Sequence, residues 1–110
     1  MRQVGATAVL LAALTSSSTA SSAEFEYEGF HRTSTGAAEL VLKFHNTSSK
    51  KITFIAAECG LLGDDGKALT TISLISQNIP AGAYAYAKNY GPQGLPVKQA
   101  DCRIRDVDYE

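Results

Sequence analysis

The chain has 110 residues and balances ten basic against eleven acidic side chains. Without a basic excess there is no field to hold phosphates, which argues against nucleic acid or an anionic membrane surface as partner. A chain of this length supports one domain with one modest core.

Residues 1–23 have the three-part layout of a secretory signal. Arg2 brings a positive charge, Val4 to Leu14 is almost wholly apolar, and Thr15 to Ala23 is rich in Ser, Thr and Ala. The apolar run is too short to span a bilayer, which takes roughly 20 residues. Ser21-Ser22-Ala23 places small side chains where a signal peptidase needs them, so the expected cut lies before Glu24, with a cut after Ala20 as the rival. No cysteine stands near the end of the run, so no lipid anchor is expected. The mature domain is then residues 24–110, exported to the periplasm or secreted, with no membrane span.

Both cysteines, Cys59 and Cys102, lie in that domain. An even pair in an oxidising compartment is most simply a disulfide. In the chain-entropy model a closed loop of this size contributes about 4 kcal/mol, a large share of the roughly 5–15 kcal/mol expected of a small domain. There is no Cys-x-x-Cys, and with only His31 and His45 available the spacing does not fit zinc. No metal or other cofactor is expected.

The elements follow in chain order. Glu24 to Glu28 alternates charge with aromatic at period two, and Gly29 interrupts it with a bulge that lets the strand run on to Thr33. After the Ser34-Thr35-Gly36 turn, Glu39 to His45 alternates again, with Leu40, Leu42 and Phe44 in one phase and Val41, Lys43 and His45 in the other. Asn46 to Lys50 is a turn whose side chains bond their own backbone. Lys51 to Leu62 is a long apolar and β-branched strand with Ile55, Ala57, Cys59 and Leu61 in phase, closed by Gly63-Asp64-Asp65-Gly66. Leu69 to Ser76 reads as a strand, Asn78 to Gly82 as a turn, and Ala83 to Tyr90 as a strand alternating alanine with tyrosine. A loop from Gly91 to Pro96 leads to a last strand over Lys98 to Val107, with Cys102 and Ile104 in one phase. Six or seven short antiparallel strands at this spacing predict an all-β, immunoglobulin-like β-sandwich. The cysteine pair, joining a middle strand to the last, suits a sandwich, where inward residues of distant strands meet in one core.

The run from Leu40 to about Tyr109 resembles the small exported β-sandwich domains named for a Phe-x-Leu-Tyr-Asp motif, the FxLYD type. The resemblance rests on the strand ending in Asn46-Thr47-Ser48, the strand leading into Cys59-Gly60-Leu61-Leu62-Gly63 and the turn before Lys67, the Ile79-Pro80-Ala81-Gly82 turn, and the alternating last strand. Within the motif only the leucine survives, as Leu61. Cys59 replaces the Phe, Leu62 the Tyr and Gly63 the Asp, so a sulfur pair would occupy the space of a core ring, and Asp64 or Asp65 would cap the turn. The resemblance implies a non-enzymatic domain of the bacterial envelope.

No catalytic constellation emerges. The serines cluster in the signal and in turns, and His31 and His45 read as solvated surface groups. Asp101, Asp106, Asp108 and Glu110 lack the convergent spacing that calcium requires, and no carboxylate pair is singled out for hydrolysis. Asn46-Thr47-Ser48 matches a glycosylation acceptor, but the turn role of Asn46 is the preferred reading. The suggestive feature is Tyr84, Tyr86 and Tyr90 with Ala83, Ala85 and Ala87 in the opposite phase. The turn alignment turns the tyrosines out, as a contact patch for a protein or a glycan, while their bulk would turn them in, and a one-residue slip reverses every side chain.

The leading expectation is therefore a non-catalytic exported binding or accessory domain, a compact monomer working through a sheet face. Two alternatives are a small secreted effector or protease inhibitor acting through the Gly91–Pro96 loop, and a small hydrolase with an unrecognised site.

Overall fold

The computed structural model describes residues 23–110; the leader expected over residues 1–23 lies, Ala23 apart, outside them. Six strands follow in order: β1 (Ala23–Arg32), β2 (Ala38–Asn46), β3 (Ile52–Leu62), β4 (Ala68–Ile79), β5 (Tyr84–Tyr90) and β6 (Gln99–Tyr109). They form two antiparallel three-stranded sheets, β1-β2-β5 and β4-β3-β6, the β-sandwich that the spacing of turns predicts.

The alternation within each strand sets its inner face. Leu40, Leu42 and Phe44 of β2 and Ile55, Ala57, Cys59 and Leu61 of β3 are all buried, and Leu74, Val97, Ala100 and Cys102 complete the same cluster. Leu61 is fully enclosed. The shift between Tyr27 and Gly29 in the pairing of β1 with β2 is the bulge expected at Gly29. The turn after β3 is capped by Asp65, whose carboxylate accepts the Lys67 N–H at 3.0 Å.

The disulfide forms, but not as a strut between sheets. Cys59 and Cys102 are directly opposed on β3 and β6, neighbours in one sheet, with Cα atoms 4.0 Å apart. That close approach belongs to a pair that exchanges no backbone hydrogen bonds. The expected meeting of inward residues in one core holds, and it is reached between neighbouring strands, since sequence separation says nothing about strand order. The bridge still fills core volume, since both cysteines are buried among the apolar cluster.

Each end of the sandwich has its own tie. At one end stands Asn46, the buried polar residue of the core. Its Nδ2 donates to the carbonyls of Lys50, Ile79 and Pro80 at 2.7, 2.9 and 3.2 Å. Its Oδ1 accepts the Ser48 N–H at 3.0 Å and the Ser48 hydroxyl at 2.6 Å. One side chain thus joins the β2–β3 turn to the β4–β5 turn, where Gly82 takes a left-handed φ of 77° that suits glycine. Enclosed in this way, Asn46 is a turn residue, as its sequence context implies. At the other end, Arg32 donates to the carbonyls of Gly36, Leu95 and Val97 at 3.0, 3.0 and 2.9 Å, pinning the β5–β6 loop against the β1–β2 turn. Gly91 sits so close to the core here that a Cβ would come within 2.6 Å of the Leu61 side chain.

Candidate functional site

β5 is paired with β2, which places Ala85 opposite Phe44 and Ala87 opposite Leu42. The large β2 side chains already fill that layer of the core, and only small residues fit beside them. Ala87 is accordingly buried, and the tyrosines of the opposite phase stand outside. Tyr84 is 52%, Tyr86 61% and Tyr90 47% exposed, three large aromatics on one strand. The outward register therefore holds, and the bulk argument for tyrosines inside fails.

Cross-strand pairing arranges the outer face of this sheet in rows. Glu24, His45 and Tyr84 form one row across β1, β2 and β5. Glu26, Lys43 and Tyr86 form the next, then Val41 beside Lys88, and finally His31, Glu39 and Tyr90. The face thus grades from carboxylates on β1, through mixed groups on β2, to phenols on β5.

Side-chain contacts divide the tyrosines. His45 stacks on Tyr84 with ring centroids 4.2 Å apart and an interplanar angle of 12°, and Lys43 Nζ lies 4.3 Å from the same ring centroid. This stacking moves His45 from the freely solvated class expected of it to a support for Tyr84. A cation against an aromatic face adds a fraction of a kcal/mol to about 1 kcal/mol at an exposed site. Tyr84 is thus held in place, while Tyr86, in the next row, has no ring or cation partner among the described residues. Glu39 forms an ion pair with Lys88 at 3.8 Å and lies 2.9 Å from His31 Nε2, closing the Tyr90 end of the face. Glu24, Glu26 and Glu28 have no ion-pair partner among the described residues. The roles of Lys43, His45 and Glu26 were partly legible: their outward phase follows from alternation, but the pairing of β2 with β5 that sets them beside the tyrosines does not.

Elsewhere the groups weighed from sequence stand apart. His31 is exposed and pairs only with Glu39. Among the described residues, no set of three or more His, Cys, Asp and Glu gathers as a metal site. On the outer face of the second sheet, Glu58 takes Arg103 and Arg105 at 3.3 and 3.4 Å. The Gly91–Pro96 loop is tied back by Arg32 and by the Gly94 N–H on the Gly36 carbonyl at 3.4 Å.

Among the described residues, the one strongly shifted group lies on the side where β1 approaches β6. The Tyr27 hydroxyl accepts the Cys102 N–H at 2.9 Å. Burial pushes the Tyr27 phenol up to about 12; the Cys102 amide opposes the shift and the Asp101 carboxylate adds to it. Asp101 itself is raised by burial, with Arg103 opposing.

No protein-family model matches the chain, and neither does any curated protein sequence. Among solved structures, IrmA from Escherichia coli superposes with a TM-score of 0.60 at 10% identity, over 80% of this chain and 76% of that one. The likeness is one of fold. The two chains share a sandwich architecture, and at this identity no functional residue carries over.

Among the described residues no helix is long and apolar enough to cross a membrane.

Proposed function

We propose that the chain is a non-catalytic exported binding domain of the bacterial envelope, engaging a protein or glycan partner through the outer face of β1-β2-β5. One observation carries this reading: Tyr84, Tyr86 and Tyr90 stand about half exposed on a strand whose alanines take the core positions. Tyrosine offers large contact area for little lost side-chain freedom and is enriched where binding energy concentrates. Tyr86 is the central anchor, because its ring is free. Tyr84 is preorganised beside it by His45 and Lys43, and the glutamates of β1 form an acidic rim.

Export is the second part of the reading. A buried disulfide is supported by an oxidising compartment, and the FxLYD-type resemblance, with its non-enzymatic character, points the same way. Ala23 is fully buried at the head of β1, opposite Asn46. A cut before Glu24 would discard that residue, so the reading favours cleavage after Ala20. The intact mass of the secreted protein should then match a chain starting at Ser21 and carrying the disulfide; a start at Glu24 would refute the shift of the cut.

The binding face is tested by immobilising the oxidised domain and exposing it to envelope extract and, separately, to a glycan array. The expected result is a partner retained by the native domain and lost, by about thirtyfold or more in affinity, by the folded Tyr84→Ala/Tyr86→Ala variant. Equal retention by the variant would remove the tyrosine face from the reading.

A further inference from the structure

The two sheets leave four edges, and they are not alike. β4 packs against β5, with Asn89 Nδ2 donating to the Ser73 carbonyl at 2.7 Å, so that side of the sandwich is closed. Among the described residues, β6 is the outer strand of its sheet, 11 residues long, and its far edge pairs with no strand, β1 approaching it through the Tyr27 side chain. Because Cys59 and Cys102 are a pair without mutual backbone hydrogen bonds, the N–H and C=O of Cys102 point away from β3. Ala100 and Ile104 share that phase. Of this row, the Cys102 N–H meets a side-chain acceptor, the Tyr27 hydroxyl, rather than a strand. Just beneath the edge, Ile104 and Val107 of β6 and Phe25 of β1 pack on the core but are only partly covered. A long edge with unpaired backbone is a template for strand addition unless something blunts it.

The charges of β6 say what it can accept. Reading outward from Cys102 in both directions, Asp101 is mirrored by Arg103. If a second β6 lies antiparallel with the two Cys102 residues opposed, each Asp101 faces the other chain's Arg103, within the stretch of β6 that runs regularly before its bulge at Arg105. Ala100 and Ile104 then oppose one another, and the outward N–H and C=O groups of both strands meet in the correct phase. Of the neighbouring centres whose N–H and C=O also point outward, Ile104 sets Arg103 against Arg105, and Ala100 leaves Arg103 opposite Val97 and Lys98 opposite Cys102, so the charges favour the Cys102 register. Opposite charges across a strand pair stabilise it and like charges oppose it.

We propose that β6 is a self-association edge: two copies of this chain join antiparallel about Cys102, making one continuous sheet β4-β3-β6-β6-β3-β4. The Tyr27 hydroxyl yields its place on the Cys102 N–H to the carbonyl of the second copy. This departs from the monomer expected from sequence. The edge belongs to the sheet opposite the tyrosines, so the dimer leaves both tyrosine faces open and would present them bivalently. The inference is independent of the proposed ligand face.

The experiment is sedimentation of the oxidised domain from micromolar to millimolar concentration, since a single pair of strands buries little area and weak association is expected. The native chain should move from monomer to dimer over this range. Asp101→Arg and Arg103→Asp each place like charges in both facing pairs and should weaken dimerisation about tenfold or more. An equimolar mixture of the two variants restores every opposite-charge pair and should recover the dimer. Far-UV circular dichroism and the intact disulfide check that both variants fold. A native chain that stays monomeric at millimolar concentration would overturn the proposal. So would single variants that dimerise like the native chain, or a mixture that associates no better than its parts.

Discussion

The two ends of the sandwich solve one problem with opposite chemistry. At the Asn46 end, a neutral amide with no solvent exposure serves five partners in two turns. At the Arg32 end, a permanently charged guanidinium on an exposed residue ties a turn and a loop through three carbonyls. A neutral side chain can be buried at modest cost if every polar atom finds a partner, whereas a lone charge has to keep access to water. The difference teaches where the fold is vulnerable. The Asn46 side chain is itself shut off from water, whereas the Arg32 side chain is exposed and the Gly36 and Leu95 carbonyls it holds can turn to solvent.

Breaking the buried tie should therefore cost most. Asn46→Ala removes five hydrogen bonds at once, including the acceptor of the Ser48 N–H and a donor to the Ile79 carbonyl, and a loss of about 2–3 kcal/mol is expected. Urea unfolding of the oxidised domain measures it, and a loss no larger than that of Arg32→Met would collapse the contrast between the ends.

Tyr27 lies between them and should rank second. Its hydroxyl caps a part-buried amide, so Tyr27→Phe should cost about 1–2 kcal/mol. It also gives the fold an alkaline limit. The folded state holds the phenolic proton up to about 12, against a usual value of 10.0. The folded state thus binds more protons than the unfolded chain in that interval, and stability must fall as pH rises through it. The contribution is fully present below pH 10 and lost by about pH 12. Denaturation midpoints followed across this window should drop more steeply for the native chain than for Tyr27→Phe; parallel profiles would exclude Tyr27 as the source.

Arg32→Met should have the smallest effect, about 1 kcal/mol or less, which for a domain of this size lowers Tm by a few degrees. Its sharper signature is local. Amide exchange should quicken at Gly94 and Val97, whose loop loses its anchor, while the amides around Asn46 keep their protection.

Strand content was readable because it is local. Period two in β2 and β3 marks the inward residues one by one, and Leu40, Leu42, Phe44, Ile55, Ala57, Cys59 and Leu61 are all buried. Turn chemistry was partly local: Asp65 caps its own turn two residues on, and Asn46 bonds Ser48 and Lys50 nearby, but its bonds to Ile79 and Pro80 depend on the tertiary fold. The boundaries of β4 were less local. It runs from Ala68 to Ile79, several residues beyond the Thr- and Ile-rich segment that announces it, because pairing with the long β3 holds polar ends such as Gln77 in the ladder. The candidate face was half legible. Its tyrosines are conspicuous in sequence, but the lysine, histidine and glutamates around them come from strands far along the chain.

The sequence by itself determined the alternation of each strand, the places where the chain turns and the partner of each cysteine, since only two were present. Tertiary structure alone decided which strands became neighbours. That choice put Cys59 and Cys102 side by side in one sheet instead of across two. It also resolved the Ala–Tyr strand, whose alternation is the same whichever face is buried. Against Leu42 and Phe44 of β2 there is room for alanine but not for tyrosine, and packing volume, not hydrophobicity, turned the phenols outward.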